Sequence, residues 1–263
     1  MSAAAARGPV RPRTRGPIEL TFEVVMGLIF AALFAWFVGL MIEIIGSYTL
    51  WKGAGVSHAQ ELVRQDLAYI AAAPRSLLVD DTEAFAQMIV QGVEMPYARL
   101  GIIALYFKLH PTPDQPSQNP AESPKPAALP GSPPSLPAGL QAAARSVSTN
   151  LSQWLVISMY VAQDVLLRMS VALFALPAFV LACLIGTVDG LVRRDLRRWG
   201  GGRESSFVYH HAKRYTGWAL TGGFSLYLSW PFGGFNPAYM VLVFTVLVAA
   251  TLSTTVAAFK KYL

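Results

Sequence analysis

The sequence predicts an all-α membrane protein with four transmembrane helices, and three observations support this fold class. Residues 215–259 contain no charged side chain over 45 positions and are interrupted only by the turn-rich WPFGGFNP. Residues 24–42 and 169–188 form two further uncharged, mostly apolar runs. Because about 20 helical residues cross the hydrocarbon core, the long run provides two crossings and each shorter run provides one. The composition, 54% hydrophobic and 14% charged, is too apolar for an ordinary soluble domain.

Basic residues are unevenly distributed among the connecting segments. Four arginines lie in residues 1–19, seven Lys or Arg lie in 189–214, and two lysines lie in 260–263. The long segment 52–168 instead has eight basic and nine acidic residues. Excess Lys and Arg mark the cytoplasmic side of a membrane protein. We therefore expect a multi-pass membrane protein with both termini in the cytoplasm.

These observations divide the chain into successive segments. The first part consists of a cytoplasmic tail at 1–19, transmembrane helix 1 at 20–51 and an extracytoplasmic helical segment at 52–110. A Pro-rich linker at 111–137, an extracytoplasmic or interfacial helix at 138–168 and transmembrane helix 2 at 169–188 follow. The last part consists of a basic cytoplasmic loop at 189–214, transmembrane helices 3 and 4 at 215–259 with a hairpin turn near 230–237, and a cytoplasmic C-terminus at 260–263. The linker has ten prolines in 27 residues, a composition that favours extended, solvated chain.

Helix-start and helix-break signals organise the outside part of the chain. Ser57 with Gln60, and Asp80 with Glu83, have the capping-box spacing and predict the starts of two helices. Pro96 predicts a kink or break in the second of them. The apolar run LGIIALYF is too short to cross, so we expect it on the membrane surface or docked on neighbouring helices. From residue 138 a long helix continues without a breaker into transmembrane helix 2.

The basic loop is the most distinctive local sequence. Arg193 with Arg197, and Arg194 with Arg198, place like charges on neighbouring helical faces, and Arg203 follows the triple glycine that predicts the end of that helix. Three ligands fit this pattern: anionic lipid head groups, an acidic face of a partner protein, or DNA. The first two are the candidates we retain, and we do not expect direct DNA binding.

The sequence contains no recognisable catalytic, nucleotide-binding or zinc-protease spacing, so we expect neither an enzyme nor a bound cofactor. His210 and His211 are adjacent and would point about 100° apart on a helix, which disfavours a shared metal ion. We therefore expect no metal site and place these histidines at the head-group level.

Small residues recur every four positions on two of the predicted transmembrane helices. They are Ala178, Ala182 and Gly186 on helix 2, and Ala249, Ser253 and Ala257 on helix 4. Small residues at this spacing allow two helix backbones to approach closely. The pattern predicts helix packing within one chain, with contact between copies in an oligomer as the alternative.

The run VDGLVRRDLRRWGGGRESSFVYHHAKRY, together with the C-terminal FKKYL, resembles the integrating conjugative element membrane protein family. The resemblance implies a multi-pass inner-membrane protein of a mobile genetic element, encoded beside type IV secretion components and the coupling ATPase of conjugation. Other membrane proteins of the conjugation apparatus, and that ATPase, are the implied partners. It implies no catalytic residues.

Two classes of function follow from the sequence. The first is a non-enzymatic subunit of a conjugative DNA-transfer apparatus that uses the basic loop as a contact surface. The second is a small membrane transporter or channel component. A transporter would require polar side chains in the middle of the membrane, where the four predicted helices carry mainly Gly, Ser and Thr.

Overall fold

The computed structural model describes residues 16–73, 76–110, 138–201, 223–230, 233 and 236–258. Within these ranges the chain is helical and has no β-strand, which confirms the all-α prediction. The helices are α1 (Pro17–Thr49), α2 (Gly55–Ala72), α3 (Thr82–Arg99), α4 (Ile102–Leu109), α5 (Ala138–Phe174), α6 (Leu176–Trp199) and α7 (Pro237–Ala257). Residues 223–228 are also helical.

Four of the described helices are long and apolar enough to cross a membrane. They contain the candidate spans Thr21–Thr49, Ala143–Phe174, Leu176–Trp199 and Pro237–Ala257. Their number equals the predicted four, or is five if the bent pair α3 and α4 is counted as one span, but the set differs from the prediction. The span in α5 was not predicted, whereas the predicted third crossing lies outside the described residues except for its last part.

Helix α5 lies at the centre of a bundle formed with α1, α2, α3 and α4. In the most apolar stretch of its span, 61% of the residues are buried within the protein, against 11–17% for the other three candidates. Ile157, Val161 and Val165 of α5 pack with Ala35 of α1, and Leu167 packs with Val63 of α2. The apolar character of α5 is therefore explained largely by contact with other helices rather than with lipid.

The junction between α5 and α6 follows from a proline. Pro177 lies in the first turn of α6 and has no N–H group, so it cannot bond the carbonyl of Leu173 one turn earlier. The two helices make few contacts with each other, so α6 leads away from α5 instead of folding back on it. Their lengths add up to about 90 Å at the usual helical rise, about three times the hydrocarbon thickness. Only part of these two helices can therefore lie in a membrane.

The outer helices begin differently from the capping-box prediction. Helix α2 starts at Gly55, and Ser57 lies inside its first turn, where its hydroxyl donates to the carbonyl of Ala54 at 3.0 Å. The predicted start at Ser57 is therefore wrong. In α3 the capping side chain is Asp81 rather than Asp80, since its carboxylate accepts from the N–H of Ala84 at 2.8 Å.

Helices α3 and α4 meet at a sharp bend of 72°. Pro96 does not produce this bend, because α3 continues through it to Arg99. The bend lies instead at Gly101, whose φ of +71° is accessible to glycine at little cost. Helix α4, which holds the short apolar run, then packs against α3 and α5.

Helices α6 and α7 form the closest helix pair of the described fold. Gly186 lies against the backbone of Ala249, and Gly190 lies against that of Ser253. Because the contact advances four residues along both helices, α6 and α7 run parallel. A Cβ atom on Gly186 would lie 2.5 Å from the carbonyl oxygen of Ala249, so the contact depends on glycine.

We predict that Gly186→Ala lowers the free energy of unfolding by about 1–3 kcal/mol, because a methyl group here forces two helix backbones apart. Gly27→Ala is the matched control, since a Cβ atom on Gly27 of α1 would meet no other atom within 4 Å. Thermal unfolding of the purified protein in detergent measures both variants. Equal stability of the two variants would contradict the close approach of α6 and α7.

Candidate functional site

A buried guanidinium is the centre of the largest polar cluster among the described residues. Arg168 of α5 is only 4% exposed. Its Nε contacts Asp66 of α2 at 3.1 Å, and its Nη2 lies 3.0 Å from the carboxylate of Asp164. Its Nη1 donates to the carbonyls of Tyr227 at 3.1 Å and Trp230 at 2.6 Å. Nε and Nη1 of Arg168 therefore donate hydrogen bonds, and Nη2 forms an ion pair with Asp164.

The elements that deliver these groups explain the geometry. Asp164 and Arg168 are four residues apart, which places them one above the other on the same face of α5. The carbonyl of Tyr227 lies in the last turn of the helical residues 223–228 and also accepts from the N–H of Trp230 at 3.4 Å, and the carbonyl of Trp230 follows that turn. Carbonyl groups at a helix C-terminus carry partial negative charge. Arg168 thus joins α5 to α2 and to the segment before α7.

A second buried pair joins α1 to α2. Glu43 is 2% exposed, and its two carboxylate oxygens lie 3.0 and 3.1 Å from Nδ1 of His58. Trp51 stacks on the His58 ring with centroids 4.0 Å apart. The sequence alone places Glu43 and Asp164 near the ends of apolar runs. It does not show that α2 supplies His58 to Glu43 and Asp66 to Arg168.

The cavity beside Arg168 limits the chemistry available to this cluster. It has a volume of about 90 Å³ and is lined by Leu62, Gln65, Asp66, Tyr69, Arg168, Leu226, Tyr227, Trp230, Gly233, Pro237 and Met240. This volume admits a few water molecules and no substrate of ordinary size. No group of three or more His, Cys, Asp or Glu suited to a metal ion occurs in the described part of the chain. The cluster is therefore suited to holding helices together.

The exposed pair of Arg64 and Glu61 on α2 provides a contrast. Hydrogen bonds from Arg64, and then from Gln65, lower the pKa of Glu61 to about 2. Both side chains remain in solvent, with Arg64 77% exposed. Water competes for such a pair, so its contribution to stability is small.

The arginines predicted as a contact surface have different environments at the end of α6. Arg193 pairs with Asp189 at 2.8 Å, and Asp189 also accepts from the hydroxyl of Ser253 on α7. Arg197 donates to the carbonyl of Ala257, in the last turn of α7. A cation at this position satisfies a free carbonyl and the negative end of the helix dipole. Asp189 and Arg197 therefore fasten α6 to α7, whereas Arg193 pairs with Asp189 within α6.

The remaining predicted arginines are less engaged with α7. Arg194 is half-buried and lies 3.7 Å from its neighbour Asp195, and Arg198 is exposed. Leu196 and Trp199 between and beside them are 67% and 92% exposed. Arg203 lies outside the described residues, as do His210 and His211. The exposed end of α6 thus combines cationic and large apolar side chains.

The structure brings most of the predicted small residues to the α6–α7 contact. Ala182, Gly186, Ser253 and Ala257 are buried, and Ala249 is half-buried, whereas Ala178 is exposed. Gly190 belongs to the same contact and was missed by sequence reasoning. The signal was present, because Gly186 and Gly190 have the GxxxG spacing of closely packed membrane helices.

We predict that Arg168→Met lowers the stability of the protein by about 3–5 kcal/mol, because it leaves Asp66 and Asp164 as buried charges without a counter-ion. Arg64→Met removes an exposed arginine from α2 and is the control, for which we expect no measurable change. Thermal unfolding in detergent provides the measurement. Adding Asp66→Asn and Asp164→Asn to the Arg168→Met variant removes the unpaired charges and should restore part of the loss. A stable single variant would contradict the assigned role.

Comparison with known proteins provides the functional context. A family described as "IncC plasmid conjugative DNA transfer protein DtrJ-like" has a model that matches residues 50–260. This range includes both the Arg168 cluster and the basic end of α6. No curated protein and no solved structure matches the chain. The match confirms the membership of a conjugative transfer family that the basic loop predicted.

Proposed function

Because the chain belongs to the DtrJ-like family of conjugative DNA transfer proteins, we propose that it is a non-enzymatic inner-membrane subunit of a conjugative transfer apparatus. In this role it holds a basic cytoplasmic surface against other membrane components of the apparatus or its coupling ATPase. The observation that carries the proposal is the pair Arg194 and Arg198 at the end of α6, which form no hydrogen bond to the described part of α7 and lie next to exposed apolar side chains.

The parallel course of α6 and α7 supports the proposed topology. If both helices cross the membrane, they begin on the same side, and the connecting residues 200–236 have to return across it. The uncharged residues 215–230 are suited to that return. With α1 as the first crossing and α5 largely within the outer bundle, the chain makes four crossings and both termini are cytoplasmic. The proposal also includes that the apparatus belongs to an integrating mobile element and that the protein acts with its type IV secretion components.

The charges of α6 support the assignment of its end to the cytoplasm. Arg193 pairs with the charge of Asp189, the hydroxyl of Ser253 donates to the same carboxylate, and Arg197 donates to a carbonyl of α7. Arg194 and Arg198 are therefore left for a partner. These two are four residues apart and lie on one face of the helix. Trp199 is nearby and almost fully exposed. Arg and Trp are among the residues most enriched at the energetic centres of protein interfaces.

Anionic lipid head groups are the competing ligand for the same arginines. A lipid surface attracts positive charge without demanding a particular geometry, so lysine serves as well as arginine. A carboxylate on a protein partner is held better by arginine, whose planar guanidinium forms two parallel hydrogen bonds. Replacing arginine by lysine therefore separates the two ligands at constant charge.

The non-enzymatic assignment is supported by the chemistry of the buried cluster. The guanidinium of Arg168 is engaged by two carboxylates and two carbonyls, and the adjoining cavity admits only a few water molecules. A catalytic site instead requires room for a substrate beside reactive groups.

We predict that a phosphatase fused at residue 120 is active outside the cytoplasm and that one fused at residue 203 is inactive, because the excess of Lys and Arg holds residues 189–214 inside. Phosphatase activity in intact cells, normalised to the amount of fusion protein, provides the measurement. The same two positions fused to a cytoplasm-active reporter are the control and should give the opposite pattern. Activity at residue 203 and none at 120 would exclude this topology.

We predict that Arg194→Lys with Arg198→Lys leaves membrane insertion normal but reduces mating from the mutant donor at least about tenfold, equivalent to about 1.4 kcal/mol if transfer follows partner occupancy. Arg11→Lys with Arg13→Lys, in the basic N-terminal tail, is the matched control and should mate normally. Copurification of the coupling ATPase from donor membranes should fall with mating in the first variant. Wild-type mating by that variant would leave lipid as the ligand of the arginines.

A further inference from the structure

An exposed apolar stripe runs along the first part of α5. It consists of Leu140, Ala144, Val147, Leu151 and Trp154, which we call the α5 seam. All five side chains are exposed, including Val147 at 65%, Leu151 at 51% and Trp154 at 39%. Their spacing alternates between four and three residues, which is the heptad pattern of a helix that packs against another helix.

The α5 seam continues a stripe that is already covered by a helix of the same chain. Further along α5, the positions in the same heptad register are Ser158, Val161 and Val165. Trp36 donates to the carbonyl of Ser158 at 3.0 Å, a Cβ on Gly39 would lie 3.0 Å from Val161, and Ala35 packs with Val165. Helix α1 supplies these three contacts and ends at Thr49, and Tyr97 of α3 contacts the hydroxyl of Ser158 at 3.2 Å. The α5 seam is the part of the stripe beyond the reach of α1.

The residues around the α5 seam argue against lipid as its covering. Between its apolar positions lie Ser146, Ser148, Asn150 and Gln153, which would face hydrocarbon together with the seam if this part of α5 were in the membrane. The opposite face of the helix is occupied as well, because Ser152 is fully buried. The seam is therefore an apolar strip on an otherwise polar, partly docked helix.

The charge pattern favours a second copy of this chain as the partner. Arg145 is the only charged residue from 138 to 154, and in the heptad register it lies away from the seam. Two copies can thus approach without repulsion, and no flanking charge selects a different partner. Copies inserted in one membrane share an orientation, so their α5 helices project side by side and in parallel. Equivalent residues would then meet across the pair.

We propose that residues 140–154 form a parallel coiled coil with the same residues of a second copy, outside the membrane and in continuation of the α1–α5 packing. The interaction joins the outer parts of two subunits and leaves the basic ends of their α6 helices free. It holds independently of which partner those arginines bind.

The test uses the full chain in native membranes with Cys183, its single cysteine, replaced through Cys183→Ser. Val147→Cys and Leu151→Cys each place one thiol on the α5 seam, and Ser146→Cys places one on an exposed neighbouring position. A disulfide requires Cα atoms within about 7 Å, so mild oxidation should give at least about tenfold more dimer at the two seam positions than at the control. Equal dimer at all three positions, or dimer at none, would overturn the proposal.

A second variant separates specific pairing from chance collision. Adding Leu151→Glu to Val147→Cys places like charges in the seam and should abolish the dimer, whereas adding Ser146→Glu should not. Membrane accumulation of each variant is measured in parallel to verify folding. If Val147→Cys forms no dimer and is also protected from a water-soluble maleimide, another segment or protein covers the seam, and the second copy is excluded.

Discussion

The fold depends on the buried contact of Arg168 with Asp66, Asp164 and the carbonyls of Tyr227 and Trp230. Taking a guanidinium out of water costs several kcal/mol, which only well-placed acceptors can offset. Those acceptors come from α2, from α5 itself and from the segment before α7. The arrangement of these three elements is therefore specified by one side chain, because any other arrangement leaves a buried charge unpaired. The Glu43–His58 pair applies the same constraint between α1 and α2.

The two halves of the molecule are stabilised by different forces. Around α5, large apolar side chains leave water on packing, and the hydrophobic effect drives association. Between α6 and α7 the surroundings are apolar already, so association relies on close backbone contact and polar bonds. Gly186 and Gly190 allow the close backbone contact, and Asp189 and Arg197 form the polar bonds to α7. Arg197 thus has a structural role, in addition to the contact role proposed for the exposed arginines of the same helix end.

Sequence patterns predicted the features that depend on local chemistry. Helical class, the number of apolar spans, the long helix from residue 138 and the small residues on α6 and α7 follow from periodicity and composition. The partners of Arg168 did not follow, because Asp66 is distant in sequence and the carbonyls carry no sequence signal. The prediction of a helix start at Ser57 was wrong because a serine hydroxyl can donate to a carbonyl of the preceding turn, here that of Ala54, as readily as it can cap a helix. Apolarity alone also could not distinguish lipid-facing from bundle-facing stretches of α5.

The positions of the charged contacts are consistent with the thickness of a membrane. Arg168 and Asp189 are separated by 21 residues, which corresponds to about 32 Å of helix, close to the thickness of the hydrocarbon core. Charges are costly at the centre of a bilayer and tolerable at its surfaces, where water and head groups are near. In the proposed topology, α5 and α6 therefore carry one polar contact at each membrane surface, the first to α2 and the second to α7. The α5 seam and the basic end of α6 would then extend beyond these contacts on opposite sides, where each is accessible to a different partner.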